Sequence, residues 1–102
     1  GELPVIVLAP EWQREMELCT SGRFLTLSAA SGSNLLRALR KSLQSFSGPE
    51  PVLLCCGQIR PALRKLVARL LPQIRVISYA ELPPRTTVRR VATVSQSVGL
   101  SQ

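Results

Sequence analysis

The 102-residue sequence has no histidine, only four aromatic residues, and six acidic residues against thirteen Lys and Arg. Each shortage removes a class of function. Without His, a zinc site loses a principal nitrogen ligand, and acid–base catalysis near neutral pH loses its usual group. Four aromatics leave few platforms on which single-stranded nucleic acid stacks. No apolar run reaches the ~18 residues that mark a membrane-spanning helix. The first residues lack the basic start of a signal peptide. Neither a G-x-G-x-x-G turn nor a Walker A loop is present. Three cysteines make an odd number without framework spacing. Cys55 and Cys56 lie in an apolar run and read as reduced, packed thiols, in keeping with a cytosolic chain. No cofactor and no metal are expected.

What is present fits one small domain, expected over residues 1–94, with residues 95–102 as a flexible tail. Residues 1–50 hold five basic and five acidic groups, and residues 51–102 hold eight basic groups and one acid, Glu81. The whole surplus charge of +7 therefore lies in the second half. A basic surface points to nucleic acid, anionic lipid or an acidic protein partner; the plainer alternative is a solvated helix face with a basic tail.

The order of elements follows from apolar spacing. Leu3–Ala9 is a continuous apolar run and reads as a buried strand. Pro10 and Glu11 open a helix to about Leu18, with Trp12 and Met16 facing inward and Trp12 as a core anchor. Thr20–Gly22 is a turn and Phe24–Ser28 a second strand. Ser31 or Ser33 caps a helix that runs to about Phe46 on the stripe Leu35, Leu36, Leu39, Leu43 and Phe46, and Gly48 and Pro49 end it. Arg37, Arg40, Lys41 and Gln44 face outward.

The stretch Pro51–Leu82 has the form strand, basic amphipathic helix, strand. Pro51–Cys56 is an apolar strand, and Gly57 turns the chain. A helix over roughly 58–71 places Ile59, Ala62, Leu63, Leu66, Val67 and Leu70 on one stripe. Burying these side chains is worth roughly 10 kcal/mol gross, before the entropy of ordering them. Arg60, Arg64, Lys65 and Arg69 fall on the other side. Arg75–Tyr79 and Val88–Val94 are the last strands. The pattern β-α-β-α-β-α-β-β predicts an α/β fold with a small mixed, largely parallel sheet of 4–5 strands and about three helices. The short proline link before the last strand leaves open an antiparallel edge.

Two chemistries compete at the turn after the third strand. Cys55 beside a helix start and Arg60 has the parts of an activated thiolate in a phosphatase- or sulfurtransferase-like loop. The loop is one residue short, Pro61 stands where the Arg belongs, and no Asp follows as general acid. Apolar packing of Cys55 is the favoured reading. Glu81 reads as a local partner for an Arg or for loop N–H groups. Arg60, Arg64, Lys65 and Arg69 could hold phosphates, but nothing nearby reads bases.

The ordered set Pro51-Val52-Leu53-Leu54, Ile59-Arg60-Pro61, Leu63-Arg64, Leu71-Pro72, Val76-Ile77-Ser78-Tyr79, Glu81-Leu82-Pro83 and Val91-Ala92-Thr93-Val94 resembles the extreme C-terminus of the export-gate family of type III secretion (the FHIPEP family). This family comprises the large inner-membrane export component of flagella and its injectisome counterpart. Val5–Leu8 with Glu11-Trp12 suits the start of that family's last cytoplasmic subdomain. Two features depart from it: Cys56-Gly57 replaces a Ser-Pro-like turn, and the tail beyond Val94 matches nothing. The resemblance implies a non-catalytic protein-interaction lobe, facing the cytoplasm, of a longer protein of the bacterial inner membrane. It implies a homo-oligomeric, nonameric ring built by the parent, with this piece monomeric alone. The implied partners are export substrates with their chaperones and the ATPase stalk, not nucleic acid. Charge and exposure, rather than a family motif, nominate Arg60, Arg64, Lys65 and Arg69 for partner contact. The alternatives are a small basic nucleic-acid-binding domain and a thiol enzyme using Cys55.

Overall fold

The computed structural model describes residues 2–22, 24–46 and 50–95. Four strands form the main sheet: β1 (Glu2–Leu8), β4 (Val52–Cys55), β5 (Arg75–Ser78) and β6 (Thr87–Val94). They lie in the order β5-β4-β1-β6. Three helices connect them: α1 (Pro10–Cys19), α2 (Ala29–Gln44) and α3 (Arg60–Leu70). A two-stranded antiparallel ribbon, β2 (Thr20–Ser21) with β3 (Phe24–Leu25), follows α1. The α/β class and the largely parallel sheet are as the sequence predicts.

The period of two along each strand sorts side chains onto two faces. Ile6, Leu8, Leu53, Cys55, Val76 and Val94 point to the face that carries the helices. There they meet Trp12 and Met16 of α1, Leu35 and Leu39 of α2, and Leu63 and Val67 of α3. Trp12 is buried in this core, as its spacing from Met16 implies. Val5, Val52 and Leu54 form a smaller cluster on the opposite face, joined by Ile77 and by Leu82 from the segment after β5.

Four details differ from the sequence reading. The last strand does not take the antiparallel option. β6 pairs with β1 in parallel, from Glu2 opposite Thr87 to Leu8 opposite Val94. The chain leaves β5 at one edge and enters β6 at the other, and Leu82 packs on the helix-free face on the way. A backward step on the opposite face keeps the right-handed sense that parallel connections adopt. The register slips between Val5 and Ile6, where Val91 is the extra residue.

The expected second strand at 24–28 contributes only Phe24 and Leu25, paired with the end of the α1 segment outside the main sheet. Gly22, at φ 61°, makes the tight turn between them. The second helix starts earlier than expected, at Ala29, because Ser28 rather than Ser31 or Ser33 is the cap. The Ser28 hydroxyl accepts the Ser31 N–H at 3.1 Å. It ends at Gln44, so Phe46 packs on the core from beyond the helix. Finally, Leu70 is 46% exposed and Leu71 takes its inward place. Gly48 and Pro49, expected to end α2, lie outside the described residues, as do residues 96–102 of the expected tail.

Candidate interaction surface

Helix α3 sets the geometry. Pro61 fits its second position, where no intrahelical N–H bond is lost. Ile59, Ala62, Leu63 and Val67 are buried, which fixes the rotation of the helix and sends its cations outward. The structure then divides the four nominated residues into two groups. Arg60 and Arg64 line a cleft of about 390 Å3 with Glu50, Gln73, Arg75 and Glu81. Lys65 and Arg69 line a separate hollow of about 240 Å3 with Phe24, Leu25, Ala62 and Leu66.

Their availability also differs. Arg60 is the least free of the four. Its Nε lies 2.8 Å from Glu81 Oε1, off the direction of a good hydrogen bond. Glu81 Oε1 also accepts the backbone N–H of Ser78 at 2.7 Å. The Ser78 N–H, with Arg60 as a smaller influence, holds the Glu81 carboxyl below its ordinary range. Glu81 is thus the local anchor that its position predicts. Arg64 and Arg69 are exposed. Lys65 Nζ sits 4.8 Å from the centre of the Phe24 ring. That cation–π contact engages one face of a ring that is otherwise exposed.

Cys55, at the end of β4, is not an activated nucleophile. Cys55 is fully buried, and its Sγ donates to the Ile77 carbonyl at 3.7 Å. Burial first, and Cys56 second, push its thiol up to about 12, against a smaller opposite pull from Arg60. The thiol therefore stays protonated at neutral pH, the reverse of an activated thiolate. Cys56 is half-buried, with its Sγ 3.6 Å from Glu17 Oε2. Among the described residues no group of three or more His, Cys, Asp or Glu is placed to hold a metal ion. None of their helices is long and apolar enough to cross a membrane.

Sequence reasoning set the cations of α2 on its outer face but did not nominate them for partner contact. Arg37, Arg40 and Lys41 are exposed and line a further hollow with Ser33, Leu36 and Gln44. Counting charge by halves hid them, because the acids of α1 cancel them on paper. The signal was local: α2 has three cations and no acid across Ala29–Gln44.

Comparison with known proteins bears on the origin of this surface. The chain is 29% identical over 100 residues to the flagellar biosynthesis protein FlhA of Caulobacter vibrioides, covering 92% of this chain and 14% of that protein. It superposes on the MxiA protein of Shigella flexneri with a TM-score of 0.80 at 26% identity, over 92% of this chain and 31% of that one. The CdsV protein of Chlamydia pneumoniae, in its complex with CdsO, gives 0.76 at 27% identity over 90% and 28%. The chain thus spans a small part of each relative. These relatives belong to the flagellar and type III protein-export apparatus. With the FHIPEP family model matching residues 1–87, on the fold that its members share, the chain belongs to the FHIPEP family.

Proposed function

We propose that the chain is a non-catalytic protein-interaction lobe of a type III export gate. On this reading residues 1–94 are the last cytoplasmic subdomain of a longer inner-membrane protein, in the platform that receives chaperone–substrate complexes. One observation carries it: a family fold whose buried Cys55 thiol is not activated presents Arg64, Lys65 and Arg69 to solvent on helix α3. A relative solved together with a second protein, CdsV with CdsO, supports partner binding by this family. The nonameric ring and the ATPase stalk as partner rest on the family resemblance, and the ring requires the parent protein. The lobe alone is a monomer.

Charge reversal tests this. Arg64→Glu with Arg69→Glu, in the longer cytoplasmic region, should weaken a chaperone–substrate complex by about tenfold or more, with folding intact by circular dichroism. Unchanged affinity removes these residues from the contact. Absence of binding by the unaltered region removes the lobe reading itself.

A further inference from the structure

The core side of α3 meets α2 along a groove that the family reading does not use. Its volume is about 280 Å3. Leu35, Leu39, Val67 and Leu71 make a buried floor. Leu36, Leu66 and the exposed Leu70 form its lips. Ala29, Gly32 and Ser33 at the start of α2 are small and leave that end open. The lining is almost wholly apolar, so water gains little there and an apolar side chain gains much.

The flanks of the groove name its occupant. Leu36 borders both the groove and the hollow of Arg37, Arg40 and Lys41. Leu66 borders both the groove and the hollow of Lys65 and Arg69. Cations therefore stand outside both lips, and neither helix contains an Asp or Glu. Among the described residues, Arg37, Arg40, Lys41 and Arg69 have no ion-pair partner. An apolar strip between two positive rails is complementary to an apolar stripe between two negative ones. A helix presents that pattern along one line, with leucines at three- and four-residue spacing and Glu or Asp on either side. We propose that the α2–α3 groove docks an acidic amphipathic helix of a partner protein. A second copy of this chain fits poorly. Its one acidic helix, α1, spends Trp12 and Met16 on the core and offers only Leu18 outside.

The proposal deepens the interaction-lobe reading and rests on it only for where such a partner comes from. Its test needs no export protein, so the two fail separately. The 15N-labelled chain is titrated with a designed helical peptide of about 18 residues, long enough to hold a helix. The peptide carries a leucine stripe flanked by Glu; a twin carries Lys at the same positions. The Glu peptide should bind, with shifts centred on Leu36, Leu66 and Leu70, and the Lys twin should bind about tenfold more weakly or worse. Leu70→Glu, at an exposed site, should abolish binding without unfolding the chain. Arg40→Glu with Lys41→Glu should weaken the Glu peptide and strengthen the Lys twin. Equal binding of the two peptides, no binding of either, or shifts centred on the Arg64–Arg75 cleft would overturn the proposal. So would self-association that competes with the peptide, or loss of binding in the longer cytoplasmic region, which would mean that the parent itself covers the groove.

Discussion

Glu81 joins the end of β5 to the start of α3 with one carboxylate. It pairs with Arg60 and accepts the Ser78 N–H. Both contacts favour its charged form, so its folded pKa lies below the unfolded value. Folding then gains from this group throughout the range above the ordinary carboxylate pKa. The gain is lost as pH falls through the depressed folded value. Glu81→Gln imitates the protonated state. Its urea midpoint should lie below that of the unaltered chain at neutral pH, and the two should converge at strongly acidic pH. A gap that stays constant from neutral to acid would show that the charge contributes nothing. Glu81 was legible in the sequence because it is the one acid among the cations of residues 51–102. Cys55 was legible as well, since four buried residues, Val52–Cys55, leave a thiol no water.

Helix α3 shows what a single element discloses and what it conceals. Its stripe recurs at helical spacing, and this local signal places Ile59, Ala62, Leu63 and Val67 in the core without knowledge of the fold. Leu70 fits the same stripe and is exposed. The helix stops there, and Leu71, at φ −139° and ψ 71°, leaves the helical path and turns inward instead. Periodicity holds only while the helix lasts. Leu63→Ala should therefore cost about 2–5 kcal/mol of unfolding free energy, from lost burial and the cavity left behind. Leu70→Ala should cost under about 0.5 kcal/mol, as a surface change does. Equal losses in urea titrations of the two variants would contradict this assignment. The start of α2 was harder to place, because Ser28, Ser31 and Ser33 all have cap chemistry and only the entry of the chain selects Ser28. The ribbon of β2 and β3 is too short to leave a period at all. The cations of α2 and α3 were each readable as an outer face; that a groove lies between them depends on how the helices pack.

At the scale of the molecule, the sheet is covered unequally. Three helices shield one face, while the cluster of Val5, Val52 and Leu54 on the other is joined from outside the strands by Leu82. No local pattern announces this, because the direction of β6 is set by the path of residues 79–86 rather than by the strand's own composition. Had β6 run antiparallel, that segment would have needed only a short turn, and the second face would have lost its cover. The parallel arrangement makes one connection serve two purposes: it returns the chain to the far edge and lays an apolar side chain over the strands it crosses. Pro83 and Pro84 restrict the backbone just after Leu82, which lowers the entropy lost when the segment is laid down. Leu82→Ser should thus destabilise the fold by about 1–2 kcal/mol, less than a fully buried leucine because Leu82 is only half-buried. The loss should appear in hydrogen exchange as faster opening of β1 and β4, with α1 protected to the same relative order as before. If Leu82→Ser leaves the urea midpoint unchanged, the segment is only a tether, and the second face holds together through the strands' own side chains.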